Sequence, residues 1–227
     1  MRLVLLHSPL VGPACWGGVP AELGARGYEA QVLALPPWDQ VARPYYPALA
    51  AAVAESVGPG DVLVVHSGGG GLVAPVAALA EGRLAAVVFV DAILPHPGRS
   101  WFDTASAPLG QALRAAASDD MLPPWDHWFP PGAIAALAPE GPLREAFLGE
   151  LGPAPLAYFD EPAPALDLPP GVGWSYLRLS KAYEAEAGEA RRLGRPTLRL
   201  ELSHLAMMTH PAQVVSSLVQ LVRRAPG

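Results

Sequence analysis

The sequence predicts a doubly wound α/β fold, built on a mostly parallel sheet and interrupted by one helical insertion. Two observations carry the prediction: short apolar runs alternate with helical segments along most of the chain, and the alternation breaks off once, between Pro95 and Gly173. The runs "LVLLH" (3–7), "AQVLALP" (30–36), "DVLVVHS" (61–67), "AAVVFVDA" (85–92), "WSYLRLS" (174–180) and "PTLRLEL" (196–202) are nearly continuous in apolar character. Strands buried on both faces read that way. Helices are expected over 19–27, 47–57, 71–82, 182–194 and 211–224, so strand and helix take turns as they do in a parallel sheet with crossovers. In the interrupted stretch, proline, glycine and aromatic residues accumulate. A structureless loop of that length is improbable in a compact domain, so residues 97–171 are read as an inserted cap with helices near 107–118 and 131–149.

Composition bounds the function. The chain has 227 residues, 51% of them hydrophobic, which suits one domain, 1–227, with a large core. Its net charge is −6 and only 16% of residues are charged, without blocks of like sign, so neither a nucleic acid nor an anionic membrane is an expected partner. A small, rather apolar molecule is. Cys15 is the single cysteine, which excludes an internal disulfide and favours the cytoplasm. His7 cuts the first apolar run short of a secretory core, and no run reaches the ~18 apolar residues of a membrane-spanning helix.

The most informative stretch is Val64-Val65-His66-Ser67-Gly68-Gly69-Gly70-Gly71. A phosphate-binding loop would continue with lysine and a hydroxyl residue, but Leu72 and Val73 follow, and a dinucleotide fingerprint would need glycine where Val73 stands. What remains is a serine between the end of a strand and the start of a helix. Such a turn exposes the hydroxyl at the carboxyl edge of the sheet and brings the next backbone N–H to the same point. A serine that only caps the helix is the alternative.

At this point the sequence resembles the α/β-hydrolase family, whose nucleophile turn reads Gly-x-Ser-x-Gly; here Val65 replaces the first glycine. The resemblance spans nearly the whole chain. "LLHSPLVGPACW" resembles the loop that completes the oxyanion hole, and "ELSHLAMMTHPAQVV" resembles the catalytic-histidine loop before the last helix. "HSPLVGP", "VDAILPHPG", "LPPW" and "HLAMM" together are most similar to small bacterial members of that family.

The resemblance implies a cofactor-free and metal-free Ser-His-acid machine, with Ser67 as nucleophile and His204 as base. His210, before Pro211, reads as a cap or surface residue, His66 as packing, and His7 as a brace for the oxyanion loop. The acid of most relatives follows the strand equivalent to "WSYLRLS", where this chain has Lys181 and Ala182. Glu184, Glu186 and Glu189 lie in a helix with acids first and arginines last, capped by Ser180, and read as solvated. Asp91 instead ends a very apolar strand, where an unpaired charge would be costly. Certain haloalkane dehalogenases place their acid there, so Asp91 is the expected triad acid and Glu184 the runner-up.

The oxyanion hole is expected to use the amides of Gly68 and Leu10, because the family's usual second donor falls on Pro9, which has no N–H. Trp101, Trp125, Trp128 and Phe129 of the cap are candidates for the substrate wall, or else form the cap's own core; Met207 and Met208 read as packing. The expected activity is hydrolysis of an ester or thioester of a small apolar acid. A lyase, cyclase or isomerase on the same scaffold, and a catalytically silent binding protein, are the alternatives.

Overall fold

A computed structural model describes residues 1–224. Six strands form one parallel sheet: β1 (Arg2–Leu6), β2 (Glu29–Leu33), β3 (Asp61–Ser67), β4 (Leu84–Ala92), β7 (Gly173–Arg178) and β8 (Thr197–Arg199). Between β4 and β7 two further strands, β5 (Met121–Leu122) and β6 (Ala154–Pro155), pair as a small antiparallel ribbon. The order in the large sheet is β2-β1-β3-β4-β7-β8. The chain therefore runs outward from β1 to β2 and returns to the other side of β1, which makes the gap between β1 and β3 the point where the winding reverses. Open parallel sheets hold their ligands outside the carboxyl ends of the strands at such a point.

Side-chain alternation explains the apolar runs. Val4, Leu6, Leu63, Val65, Val87 and Phe89 pack on one face of the sheet. Leu3, Leu5, Val62, Val64, Val88 and Val90 pack on the other. The first face is covered by α2 (Tyr45–Glu55), α3 (Val73–Leu79) and α8 (Glu184–Arg192). The second is covered by α1 (Val19–Ala25) and α10 (Pro211–Val222). In α10, Pro211 opens the helix, and Val214, Val215, Leu218, Leu221 and Val222 form its buried stripe. That spacing is the 3.6-residue period of a helix with one buried face.

The stretch predicted as an insertion, 97–171, lies between β4 and β7 and holds α4 (Trp101–Thr104), α5 (Ala107–Ala116), α6 (Pro142–Gly149) and α7 (Leu156–Asp160). Of the helix expected over 131–149 only residues 142–149 form one. Gly141, at φ +107°, and Pro142 start α6, and the residues before them make one 3-10 turn, Ala135–Leu137. Proline at the first turn fixes a helix start, which the apolar pattern alone does not reveal. A last short helix, α9 (Ala206–Thr209), precedes α10.

The glycine run allows close contact. A Cβ on Gly68 would sit 2.7 Å from Ser8 Oγ, one on Gly69 2.9 Å from the His7 carbonyl oxygen, and one on Gly70 1.8 Å from the Ile93 carbonyl oxygen. The last two obstacles are backbone and cannot rotate away. These glycines let the turn after β3 nest between the ends of β1 and β4. Gly70→Ala is therefore expected to destabilise the protein by about 3 kcal/mol, since overpacking against backbone forces the chain to shift. Gly188→Ala, in the exposed middle of α8 with open space around it, is expected to stabilise by about 0.5–1 kcal/mol. Urea unfolding of both variants checks the pair; a harmless Gly70→Ala contradicts the nesting.

Candidate active site

Ser67 is the last residue of β3, and its backbone sits at φ +55°, ψ −126°. A residue with a Cβ enters that region only when its surroundings force it, at a cost of about 1–3 kcal/mol. The turn continues as a 3-10 helix, Gly68–Leu72, and then α3. The Ile93 amide donates to the Ser67 carbonyl at 3.1 Å, fastening the turn to the end of β4.

Beside it, the pairing of β3 with β4 slips by one residue: His66 faces Val90 and Ser67 faces Ala92, so Asp91 is left over. Asp91 also has positive φ, +43°. A bulge of this kind re-aims one side chain. The Asp91 carboxylate, with no exposed surface, accepts four hydrogen bonds. Oδ1 receives the amides of Leu179 at 2.7 Å and Ser180 at 3.0 Å; Oδ2 receives the Ser180 hydroxyl at 2.6 Å and His204 Nδ1 at 2.9 Å. Hydrogen bonds to charged groups contribute about 1.5–3 kcal/mol each, which offsets the desolvation of a buried charge. The bond also fixes the His204 tautomer, with the proton on Nδ1 and the Nε2 lone pair free.

Three rings surround His204. Tyr183 stacks on it with centroids 5.0 Å apart and planes within 6° of parallel; His66 lies at 4.4 Å and Trp125 at 5.9 Å. His66 Nε2 donates to the His204 carbonyl at 3.1 Å, while His66 Nδ1 is buried without a partner among the described residues. Burial, and next the neighbouring His204, hold His66 well below the usual histidine range, so it stays neutral. His66 thus supports the His204 loop as well as packing against Trp16. Ser67 Oγ is 3.2 Å from the hydroxyl of Tyr183. No hydrogen bond joins Ser67 Oγ to the His204 ring among the described residues; the hydroxyl of Tyr183 is its side-chain partner.

The other expectations fall as follows. Ser180 does not cap α8, whose N-cap is Tyr183; its hydroxyl goes to Asp91 instead. Glu184 is exposed and paired with Arg199 and Arg178, well away from service to His204, and those arginines hold its carboxyl below the usual range. Glu189 pairs with Arg192. His210 is exposed, and Met207 and Met208 are buried. Trp125 lines the space over Ser67 with Ser8, Leu10, Val11, His66 and His204, a cavity of only about 10 Å³. Phe129 packs on Trp125 but is largely exposed. Trp101 and Trp128 instead pack on Phe159 within the insertion. A larger groove of about 500 Å³ adjoins, sharing Leu10 and Val11 as its inner wall and lined further by Leu35, Trp38, Leu49 and Met121. Tyr183 carries no motif that marks it for this site; the absence of a carboxylate directly after Ser180 is the one signal in the sequence that another residue occupies that place.

The loop after β1, expected to complete an oxyanion hole, departs from its expected form. The Leu10 amide donates to Ser8 Oγ at 3.3 Å and the Val11 amide to the Ser8 carbonyl at 3.1 Å. His7 braces the loop: the Leu35 amide donates to its Nε2 at 3.2 Å, which leaves Nδ1–H to donate to the Ser8 carbonyl at 2.8 Å. No cluster of three or more His, Cys, Asp or Glu side chains suited to a metal ion occurs among the described residues, and no helix among them is long and apolar enough to cross a membrane.

No protein-family model matches the chain, and no curated protein matches it. Solved structures do. An extracellular α/β-hydrolase from a Paenibacillus species, described as sharing structural and functional homology with tobacco salicylic acid binding protein 2, superposes with a TM-score of 0.78 at 20% identity, covering 97% of this chain and 98% of that one. The chain has the α/β-hydrolase fold. A pyrethroid hydrolase is similar with a TM-score of 0.77 at 18% identity, covering 98% of both chains. A polyneuridine aldehyde esterase has a TM-score of 0.73 at 16% identity, over 97% of this chain and 98% of that one.

This α/β-hydrolase fold buries three neutral histidines. His7, His66 and His96 all have pKa values pushed down from 6.5, in each case chiefly by burial. The unfolded chain takes up protons that these rings cannot, so their contribution to stability is full above about pH 6.5 and falls as pH drops below it. Glu150 and Glu186, pushed up from 4.5 by burial, oppose this nearer the carboxylate range. The unfolding free energy from urea titration is expected to decline from pH 7 to pH 5.5, by at most about 1.4 kcal/mol per pH unit for each histidine. A flat profile contradicts the neutral assignment.

Proposed function

We propose that the protein is a cofactor-free serine hydrolase that cleaves an ester or thioester of a small apolar substrate. One observation carries the reading: a hydrogen-bonded Asp91–His204 pair stands beside a serine held in a strained turn. His204 Nε2 takes the proton from Ser67 Oγ as that oxygen attacks the carbonyl carbon, and Asp91 holds the ring in the tautomer this requires and stabilises the imidazolium. The protonated Nε2 then gives its proton to the leaving oxygen or sulfur. Water repeats the sequence on the acyl-enzyme.

The Gly68 amide is the first donor to the oxyanion. The second is the Ser8 hydroxyl rather than the Leu10 amide: Leu10 is engaged with Ser8 Oγ, and that bond leaves the Ser8 proton free to turn toward the cavity that Ser8 and Ser67 share. The apolar groove behind Leu10 and Val11 takes the substrate's apolar part, and residues 97–171 act as its cap, with Trp125 as the cap side chain nearest the chemistry. The lone, buried Cys15 suits the cytoplasm. A second reading, a non-hydrolytic enzyme that uses His204 as its base, draws support from Pro9 and from the Ser67–Tyr183 hydrogen bond.

Turnover of p-nitrophenyl acetate separates these. Ser67→Ala is expected to abolish it, and Asp91→Asn to lower kcat by about 10⁴-fold, since an asparagine imposes the wrong histidine tautomer. Ser8→Ala is expected to cost about 10²–10³-fold, the loss of one oxyanion donor, and Glu184→Gln to leave the rate unchanged. Equal rates in the parent and Ser67→Ala contradict the serine hydrolase.

A further inference from the structure

Tyr183 is unexplained by the mechanism above, although its hydroxyl is within hydrogen-bonding distance of the oxygen that would attack. It ends the 3-10 turn Lys181–Tyr183, which begins directly after Ser180, and Ser180 is held to Asp91 by both its amide and its hydroxyl. Tyr183 is thus fastened to the same carboxylate that orients His204. Its ring lies flat on the imidazole, within 6° of parallel, while its hydroxyl reaches past that ring to Ser67 Oγ at 3.2 Å. Burial, reinforced by the charges of Asp91 and Glu186, raises the phenol pKa. The group is therefore a hydrogen-bond donor rather than a base.

Resting on the serine-hydrolase reading, we propose that Tyr183 is a fourth catalytic residue, which hydrogen-bonds Ser67 Oγ at rest and the leaving-group oxygen of the substrate during acylation. The geometry sets the role. The leaving oxygen must come to His204 Nε2 to receive its proton, and the Tyr183 hydroxyl lies alongside the same ring on the path to Oγ. The second oxyanion donor, by contrast, belongs to the Ser8 side of the cavity, where Gly68 approaches. As Oγ bonds to the acyl carbon, the proton of Ser67 passes to Nε2 and the carbonyl electron pair moves onto the oxyanion. When the intermediate collapses, the carbon–oxygen bond breaks, its electron pair goes to the leaving oxygen, and Nε2–H supplies the proton. Tyr183 keeps its own proton throughout and donates a hydrogen bond to the oxygen on which charge builds. Its ring, stacked on the imidazole, holds that ring in plane.

A donor to the leaving group matters most when the leaving group is poor. Tyr183→Phe keeps the ring and removes the hydroxyl; Tyr183→Leu removes both. Each is compared with the parent and with Ser67→Ala on p-nitrophenyl acetate, whose phenolate leaves readily, and on ethyl acetate, whose ethoxide does not. Tyr183→Phe is expected to lose about 10–100-fold more in kcat on the ethyl ester than on the aryl ester, the value of one hydrogen bond to a charged oxygen. Tyr183→Leu is expected to lose on both. Equal losses of Tyr183→Phe on the two esters, or none on either, overturn the assignment of the hydroxyl. An unimpaired Tyr183→Leu on the aryl ester overturns the role of the ring. Turnover in the parent no faster than in Ser67→Ala overturns the nucleophile itself, and this inference with it, and is a different result from either of the others.

Discussion

The carboxylate of Asp91 has no exposed surface, and three separate segments of the chain meet on it. Asp91 stands one residue before the end of β4, and its carboxylate receives two backbone amides and a hydroxyl from residues 179 and 180 beyond β7 and the ring of His204 from the loop before α9. A buried charge left without partners would cost several kcal/mol, so these contacts stand or fall together. Through Ser180 the carboxylate also sets the turn that carries Tyr183. The imidazole of His204 and the phenol of Tyr183 stacked on it are thus both positioned by one anion.

That anion depends on strain stored next door. Ser67 and Asp91 both have positive φ, and they sit on adjacent strands at the place where the β3–β4 register slips. The slip turns the Asp91 side chain toward the end of β7, and the same irregularity lets the turn after Ser67 rise over the sheet edge. Two clamps hold it. The Tyr176 hydroxyl accepts from the Ala92 amide at 3.1 Å and donates to the Ala92 carbonyl at 2.7 Å, and Gly70 passes so near the Ile93 carbonyl that no Cβ would fit. Strain at a functional turn persists only where the surroundings over-determine it.

How much of this the sequence revealed follows from the range of the forces involved. The four central strands were legible because burial on both faces imposes continuous apolar runs, and the half-buried edge strands β2 and β8 through interrupted ones; the order Ser67, Asp91, His204 could be proposed because each lies at or just after the end of such a run, where the family resemblance implies catalytic residues. Asp91 stood out as a lone charge after "AAVVFV". The segment 131–149 was less legible: its apolar residues suggested one helix, whereas Gly141 and Pro142 delay the start of α6. Ser180 looked like a helix cap because serine before an acidic helix usually is one, but a buried carboxylate is the stronger attraction for its hydroxyl. The place of Tyr183 and the support of His204 by His66 depend on contacts between turns distant in sequence, and the Leu10–Ser8 hydrogen bond on the local shape of one loop, none of which periodicity encodes. The aromatics of residues 97–171 divide in the same way: Trp125 reaches the cavity, while Trp101 and Trp128 pack on Phe159 of the same segment.

The central claim is that the Asp91–His204 pair makes Ser67, alone among the serines, nucleophilic in the folded protein. Peptide mapping by mass spectrometry after treatment with a fluorophosphonate tests it most directly, because the reagent bonds covalently to an activated serine. The expected result is a single adduct on Ser67 of the native parent, much reduced in Asp91→Asn. An intact fold that takes up no label, or takes it up at another serine, contradicts the account.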